Sequence, residues 1–485
     1  MVDVKKESLN GFFWSAIEKF SNQGIRFLVG LVLARILSPS DFGAIAIMTV
    51  FISISDSFID SGFGKALIRK NDRSEVDFST VFYFNIFVAT TLYILLFVLA
   101  PWISVFFKNP ILCPVLRVFS LSLILGSLMS VLNAKLFINL DFRAIAIRSF
   151  ISSVISGVVG ITLAYMGLGI WALVYQSLTI SFINLLFVWI YSKWLPLLVF
   201  SWKSFKELGS YGSKLLLASL LSSLYENFTP LAIGKFYTPK ELGYYNRGSE
   251  LANYPSYTIL SILQSVIFPL FSKIQDNDTR LIQLYRKYIK ISSIPLVFFA
   301  ILLASISKPL VILLLTDKWF DSIIYLQLLC FSVVFNHINT INLNLLQVKG
   351  RSDLFLKLEI IKKSISLIFL FVSLPFGITW ICISRILYNH IAIIINTYYT
   401  GKLYNMGYIS QVKDFIGYFG VALVSCIPAF IMSESHLPAL IQVLGGFVLS
   451  SSIYILILRK DSYMREILVS VKEVLVNKII LSSHK

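Results

Sequence analysis

Apolar residues come in long unbroken runs along this chain, and polar residues are confined to the short stretches between them. A helix needs roughly 20 apolar residues to cross the hydrocarbon core of a bilayer. Fourteen runs meet that length, near 12–36, 42–64, 79–107, 115–138, 145–166, 169–192, 209–234, 241–271, 288–315, 320–347, 354–375, 376–399, 412–432 and 437–458. Only Pro375–Gly377 separates the eleventh run from the twelfth. The pattern predicts an all-α membrane protein with 14 transmembrane helices. The first run carries Glu18, Lys19 and Arg26 and has no convincing cleavage site, so it reads as a retained span and not a signal peptide.

The runs are organised by a repeat. Residues 34–43 read A-R-I-L-S-P-S-D-F-G, and residues 234–243 read G-K-F-Y-T-P-K-E-L-G. Each copy closes one run and opens the next. Ser38 and Thr238 suit a helix N-cap, and Pro39 and Pro239 suit the first helical position. Asp41 and Glu241 stand where a carboxylate meets the free amides of the first turn. Six runs lie between the copies, and six is even, so both halves start from the same side. The expected architecture is two six-helix bundles, 1–205 and 206–405, related by a parallel pseudo-two-fold axis. Two additional transmembrane helices over 406–458 and a basic tail over 459–485 complete the chain.

Composition narrows the class. The 485 residues are 57% hydrophobic and 14% charged, and the mean hydropathy is +0.80. A soluble protein does not expose so little charge. The net charge of +17 would suit nucleic acid, but its placement points elsewhere. With both termini assigned to the cytoplasm, 30 Lys and Arg lie on or beside the cytoplasmic segments, six on the opposite side and six within spans. That asymmetry is a topology signal, and nucleic acid is not expected as a partner. Cys113, Cys330, Cys382 and Cys426 have no metal-ligand spacing, and the four histidines form no cluster. No stretch outside the runs is long enough to fold as a catalytic domain. In the tail, Ile467, Leu468, Val471, Val474 and Leu475 have amphipathic spacing suited to an anionic membrane surface.

Ionisable groups inside spans are costly and point to function. In the first span Glu18, Asn22, Gln23 and Arg26 share one stripe. The seventh span carries Lys214, Glu226 and Asn227, the eighth Arg247 and Glu250, and the twelfth Arg385. The second adds Asp56 and Asp60, one turn apart. Such groups either pair to hold helices in register or line a wet cavity. Arg26, Lys214, Arg247 and Arg385 are the candidate cations for an anionic headgroup, since a guanidinium donates two bonds at once to a phosphate. Asp56, Asp60, Glu226 and Glu250 are the candidates for a coupling cation or proton. Glu18, Asn22, Gln23 and Asn227 add polarity. Asp276-Asn277-Asp278 has the form of a metal-binding D-x-D, but it sits in a short loop and reads as a solvated turn.

Six stretches carry a family resemblance. They are L-A-R-I-L-S-P-S-D-F-G at 33–43, D-S-G-F-G-K-A-L-I-R at 60–69, G-Y-Y-N-R-G at 243–248, F-P-L-F-S-K-I-Q-D at 268–276, K-P-L-V at 308–311 with D-K-W at 317–319, and G-R-S-D-L-F-L-K-L at 350–358. In this order and spacing the chain resembles the polysaccharide flippases (O-antigen and colanic-acid type, Wzx-like) of the multidrug/oligosaccharidyl-lipid/polysaccharide exporter superfamily. The resemblance implies a transporter of the bacterial inner membrane and not an enzyme. It implies an undecaprenyl-diphosphate-linked oligosaccharide as substrate, moved to the periplasmic leaflet by alternating access through a cationic central cavity. It implies no cofactor beyond a coupling ion, H+ or Na+, with the lipid bilayer and other polysaccharide-assembly proteins as partners. Three rival readings stand beside it. A multidrug or small-solute antiporter of the same fold would want an acidic or apolar cavity. A flippase for the peptidoglycan lipid precursor would share the architecture but not these motifs. A membrane glycosyltransferase or polymerase would need a sizeable acidic catalytic loop.

Overall fold

The computed structural model describes residue 19 and residues 21–59 and 62–469. Among the described residues there is no strand. The first helix, α1, covers 21–36. It is followed by α2 (Pro39–Ile59), α3 (Phe63–Arg69), α4 (Glu75–Phe106), α5 (Leu112–Phe119), α6 (Leu121–Ile138), α7 (Phe142–Tyr165), α8 (Ile170–Ser192) and α9 (Trp202–Phe236). Then come α10 (Pro239–Lys273), α11 (Asp278–Ser305), α12 (Ser307–Leu315), α13 (Ser322–Val333), α14 (Asn336–Val348), α15 (Ser352–Ser373), α16 (Ile378–Tyr404), α17 (Tyr408–Ser433) and α18 (Ala439–Leu458).

A helix stands at each of the fourteen apolar runs. Eleven helical stretches among the described residues are long and apolar enough to cross a membrane. The other three runs are those of α1, α9 and α15. The first begins outside the described residues. The second carries Lys203, Lys206, Glu207, Lys214, Glu226 and Lys235, and the third Asp353, Lys357, Glu359, Lys362 and Lys363. Some runs are broken where the sequence pattern is continuous: α5 gives way to α6 at Ser120, and α11 ends at Ser305 before α12. The close pair of runs is parted by a 3-10 turn at Leu374–Phe376 and by Gly377 at φ 107°, a left-handed conformation that favours glycine.

The repeat has the local chemistry its residues predict. Ser38 Oγ accepts from the Asp41 amide at 3.2 Å, and Asp41 Oδ2 accepts from the Ser38 amide at 3.0 Å. Thr238 Oγ1 and Glu241 reproduce the exchange at 3.3 and 2.9 Å. Both are capping boxes, each satisfying two otherwise free amides. The first turns of α2 and α10 also cross one another. A Cβ added to Gly43 would lie 1.6 Å from the Pro239 carbonyl oxygen, and one added to Gly243 would lie 2.0 Å from that of Pro39. Only glycine allows so close an approach of two backbones.

The chain divides into two compact units between Gly243 and Tyr244. In the first, α7 lies on α8, α4 and α8 on α6, and α9 on α2. Its core holds Phe63, Leu67, Phe78, Phe82 and Val131 around α3, α4 and α6. The sequence repeat places the bundle boundary at 205, whereas α9 is in the first compact unit because it packs along α2, α3 and α4. In the second unit, α17 lies on α11 and α18, and α16 on α13 and α15. The helices α17 and α18, which stand outside the repeat, share one core with α11 through Ala422, Cys426, Ala429 and Tyr454.

Candidate functional site

In the first unit the stripe of the first span faces α7 and α8. Asn22 Oδ1 accepts from Ser153 Oγ at 2.6 Å. Arg26, one turn further, lines a cavity of about 240 Å³ with Ser153, Ser156, Gln176 and Ser177. Arg26 is exposed, and three hydroxyls and an amide line the same cavity. Gln23 is half-buried next to Asn22. Glu18 and Asp60 lie outside the described residues, and Asp56 is exposed on α2. On α9, Lys214 and Glu226 are exposed, and Asn227 donates to the Ser223 carbonyl at 2.8 Å within its own helix.

In the second unit α10 carries two of the candidates and α16 a third. Arg247 is buried and donates to Glu250 Oε2 at 2.8 Å. Its guanidinium lies 5.6 Å above the Trp319 ring. Glu250, about half-exposed, also accepts from the Tyr254 hydroxyl at 3.1 Å. Arg385 donates to the hydroxyl of the buried Tyr245 at 3.0 Å. Arg247, Glu250 and Tyr254 thus form one contact set along α10, and Arg385 with Tyr245 forms another. Arg247 and Glu250 pair with one another within α10. Half of the carboxylate meets solvent, so an incoming anion can compete with it.

Histidines and cysteines occupy structural places. His337 is buried against Ser293 Oγ at 2.8 Å, and His390 bonds Tyr408 at 2.8 Å. Cys330, Cys382 and Cys426 are buried free thiols, and Cys113 is half-buried. Among the described residues no group of three His, Cys, Asp or Glu could hold a metal ion. The D-x-D loop is a helix start: Asn277 Oδ1 accepts from the Arg280 amide at 3.0 Å and caps α11, while Asp278 pairs with Lys349.

Several polar groups escaped the reading of single spans. Asp414 at the start of α17 is buried, and Arg286 grips it through Nε at 2.7 Å and Nη2 at 2.6 Å, with Lys290 at 3.2 Å. Asn342 accepts from Tyr285 and Thr400, both at 2.9 Å, and donates to Gln411 at 2.8 Å. Arg148 donates to Asn133, and Asn85 to Ser130. The spacing of Arg286 and Lys290, one turn apart, was the one signal in the sequence; their partner lies over a hundred residues away. At the basic edge of the first unit Lys70 meets Asp77 at 3.1 Å and Glu207 at 3.0 Å. Burial by itself would lower its pKa, but the bonds to Glu207 and Asp77 outweigh that and raise it.

The helical architecture is similar to that of solved membrane transporters. The structure of the lipid II flippase MurJ in an inward closed conformation superposes with a TM-score of 0.73 at 14% identity, covering 94% of this chain and 99% of that one. An inward-facing multidrug resistance transporter of the MATE family superposes with a TM-score of 0.60 at 15% identity, covering 84% and 98%. The model of the family described as "Polysaccharide biosynthesis protein" matches residues 32–324, and the chain belongs to that family. Similar proteins include the succinoglycan biosynthesis transport protein ExoT of Rhizobium meliloti (strain 1021), 24% identical over 63% of this chain and 62% of ExoT. The teichuronic acid biosynthesis protein TuaB of Bacillus subtilis (strain 168) is 26% identical over 73% of this chain and 74% of its own length. The lipopolysaccharide biosynthesis protein WzxC of Escherichia coli (strain K12) is 26% identical over 74% of each. The match thus spans less than two thirds of ExoT and about three quarters of the other two. The chain is a multi-pass membrane protein of that polysaccharide-biosynthesis family.

Proposed function

We propose that the protein moves an undecaprenyl-diphosphate-linked oligosaccharide from the cytoplasmic to the periplasmic leaflet of the bacterial inner membrane, for assembly of a surface polysaccharide. The observation that carries the reading is the membership of 32–324 in a polysaccharide-biosynthesis family, on a fold shared with flippases and exporters. The chemistry of the chain agrees with it. A polyprenyl tail can stay in lipid, while a diphosphate and its sugars need a wet and positive path. Arg26 in the cavity lined by Ser153, Ser156, Gln176 and Ser177 supplies one such place, Arg247 beside the half-exposed Glu250 a second, and Arg385 beside Tyr245 a third.

Transport on this reading is alternating access by two six-helix repeats, with both termini in the cytoplasm and fourteen spans in all. The diphosphate engages the arginines in turn, displacing Glu250 from Arg247 as it arrives. Asp56, Glu226 and Glu250 are the described carboxylates through which H+ or Na+ could be coupled.

The test is deletion of the gene and restoration on a plasmid. Loss of the surface polymer, with its lipid-linked precursor trapped in the cytoplasmic leaflet, is the expected result. Normal polymer and no trapped precursor in the deleted strain would sink the reading.

A further inference from the structure

The segment joining α8 to α9 reads K-W-L-P-L-L-V-F-S-W over 193–202. It is not helical, yet its backbone is fixed. The Leu197 amide donates to Ser79 Oγ at 2.9 Å, and the Ser201 amide to Thr80 Oγ1 at 3.1 Å. Both hydroxyls are fully buried in the second turn of α4. Trp194 donates its indole N–H to Glu75 at 2.6 Å, and Ser201 Oγ caps α9. So the strap is pinned along one edge, where Trp194 packs on Phe82, and Leu195 and Leu198 turn the other way. Leu198 is 93% exposed, Leu195 74% and Trp202 67%, with Leu197, Val199 and Phe200 exposed beside them. A pinned, contiguous apolar surface of this kind marks an interaction site.

We propose that this strap is an interfacial anchor, lying in the headgroup region of the anionic leaflet on the basic side of the protein. Two physical constraints set that depth. Non-helical backbone exposed to lipid cannot sit in the hydrocarbon, where its free N–H and C=O groups would go unsatisfied. Leucines this exposed do not favour open water either. The boundary between the two satisfies both, and it is where tryptophan prefers to lie. The strap runs from the end of one membrane helix to the start of the next, beside the first turns of α4, which puts it at that level. Charge selects the lipid: Lys193, Lys203 and Lys206 flank the apolar stretch and are exposed. Lysines at this depth are drawn to anionic headgroups.

The test is a nitroxide at Leu198→Cys in a Cys113→Ser background of the full chain, reconstituted in phosphatidylcholine vesicles containing phosphatidylglycerol. The other three cysteines are buried and do not compete for the label. Oxygen partitions into the acyl region, and a nickel chelate stays in water, so the ratio of their collision rates reads depth. The ratio at Leu198 is expected to approach that of a label at Ile190→Cys, on the exposed surface of α8, and to fall when phosphatidylglycerol is left out. A ratio equal to that of a label in the loop at Asp276→Cys overturns the anchor. A ratio unchanged without phosphatidylglycerol overturns the anionic part. Exposure to the chelate in vesicles with protection in native membranes assigns the surface to a protein partner and also overturns it. Leu195→Cys serves as a second site should the first variant fail to fold.

Discussion

The arginines of the spans differ in what holds them, and that difference is testable. Arg26 stands among hydroxyls and an amide, Arg385 has a phenol, and Arg247 has a half-exposed carboxylate. On the proposed reading a passing diphosphate exchanges with each of these partners. Arg26→Ala, Arg247→Ala and Arg385→Ala are expected to reduce surface polysaccharide at least tenfold while the protein still reaches the membrane. The measurement is polymer, precursor and protein level in the same cells. Normal polymer from all three would remove the cationic path. Asp414 is the contrasting case. It is buried and held by Arg286 and Lys290, so removing both cations leaves an uncompensated carboxylate. Breaking a fully buried pair costs roughly 3–5 kcal/mol, and the half-exposed Arg286 puts this case below that. Arg286→Ala with Lys290→Ala, which takes two cations from one carboxylate, should lower the melting temperature in detergent more than Glu250→Gln, whose amide oxygen still accepts from Arg247. Equal shifts in the two would mean that the number of partners removed does not separate them.

At the scale of elements, the two capped turns that open α2 and α10 are the clearest joint in the molecule. Ser38→Ala and Thr238→Ala each remove a capping oxygen, at a cost of about 1 kcal/mol. The crossing is less forgiving. Any Cβ at Gly43 or Gly243 would fall inside the van der Waals radius of a proline carbonyl, and a backbone cannot give way as a flexible side chain does. Gly43→Ala and Gly243→Ala are therefore expected to impair folding or transport more than either cap variant. Gly64→Ala on α3, where an added methyl meets nothing within 4 Å, should be silent. Thermal melting and polymer yield of the five variants check the order, and a silent Gly43→Ala would show that α2 and α10 can part freely.

For the whole molecule the charge asymmetry makes the sharpest statement. With fourteen spans and both termini inside, single cysteines near Lys108 and Lys318 should react with a membrane-impermeant maleimide added to intact cells. Cysteines near Arg73 and Arg280 should react only after the cells are broken. Reaction near Arg280 in intact cells would reverse the orientation. The second compact unit also makes α17 and α18 part of a common core with α11, through Cys426, Ala429 and Tyr454. Truncation before Tyr408 is accordingly expected to abolish folding of that unit and not merely to shorten the protein.

The helices were legible because a bilayer imposes one rule on every span, and that rule is written locally: an apolar run of sufficient length, a cap, a break. The capping boxes at Ser38 and Thr238 could be read from four residues each, since both partners lie within one turn. The positions of helices α9 and α15 were found as well, in spite of their charges. What the sequence could not supply was partnership. Nothing near Asp414 names Arg286, nothing near Asn342 names Gln411, and no local pattern says that Gly43 must face Pro239. The stretch 193–208 reads in the sequence as a polar link between spans; only its fixed, non-helical course shows Leu198 in the open. Hydropathy and capping depend on neighbours along the chain, so the sequence by itself determined the class, the runs and the repeat. Pairing of buried charges, breaks within helices and outward-facing leucines depend on neighbours in space, and only the tertiary structure decided them.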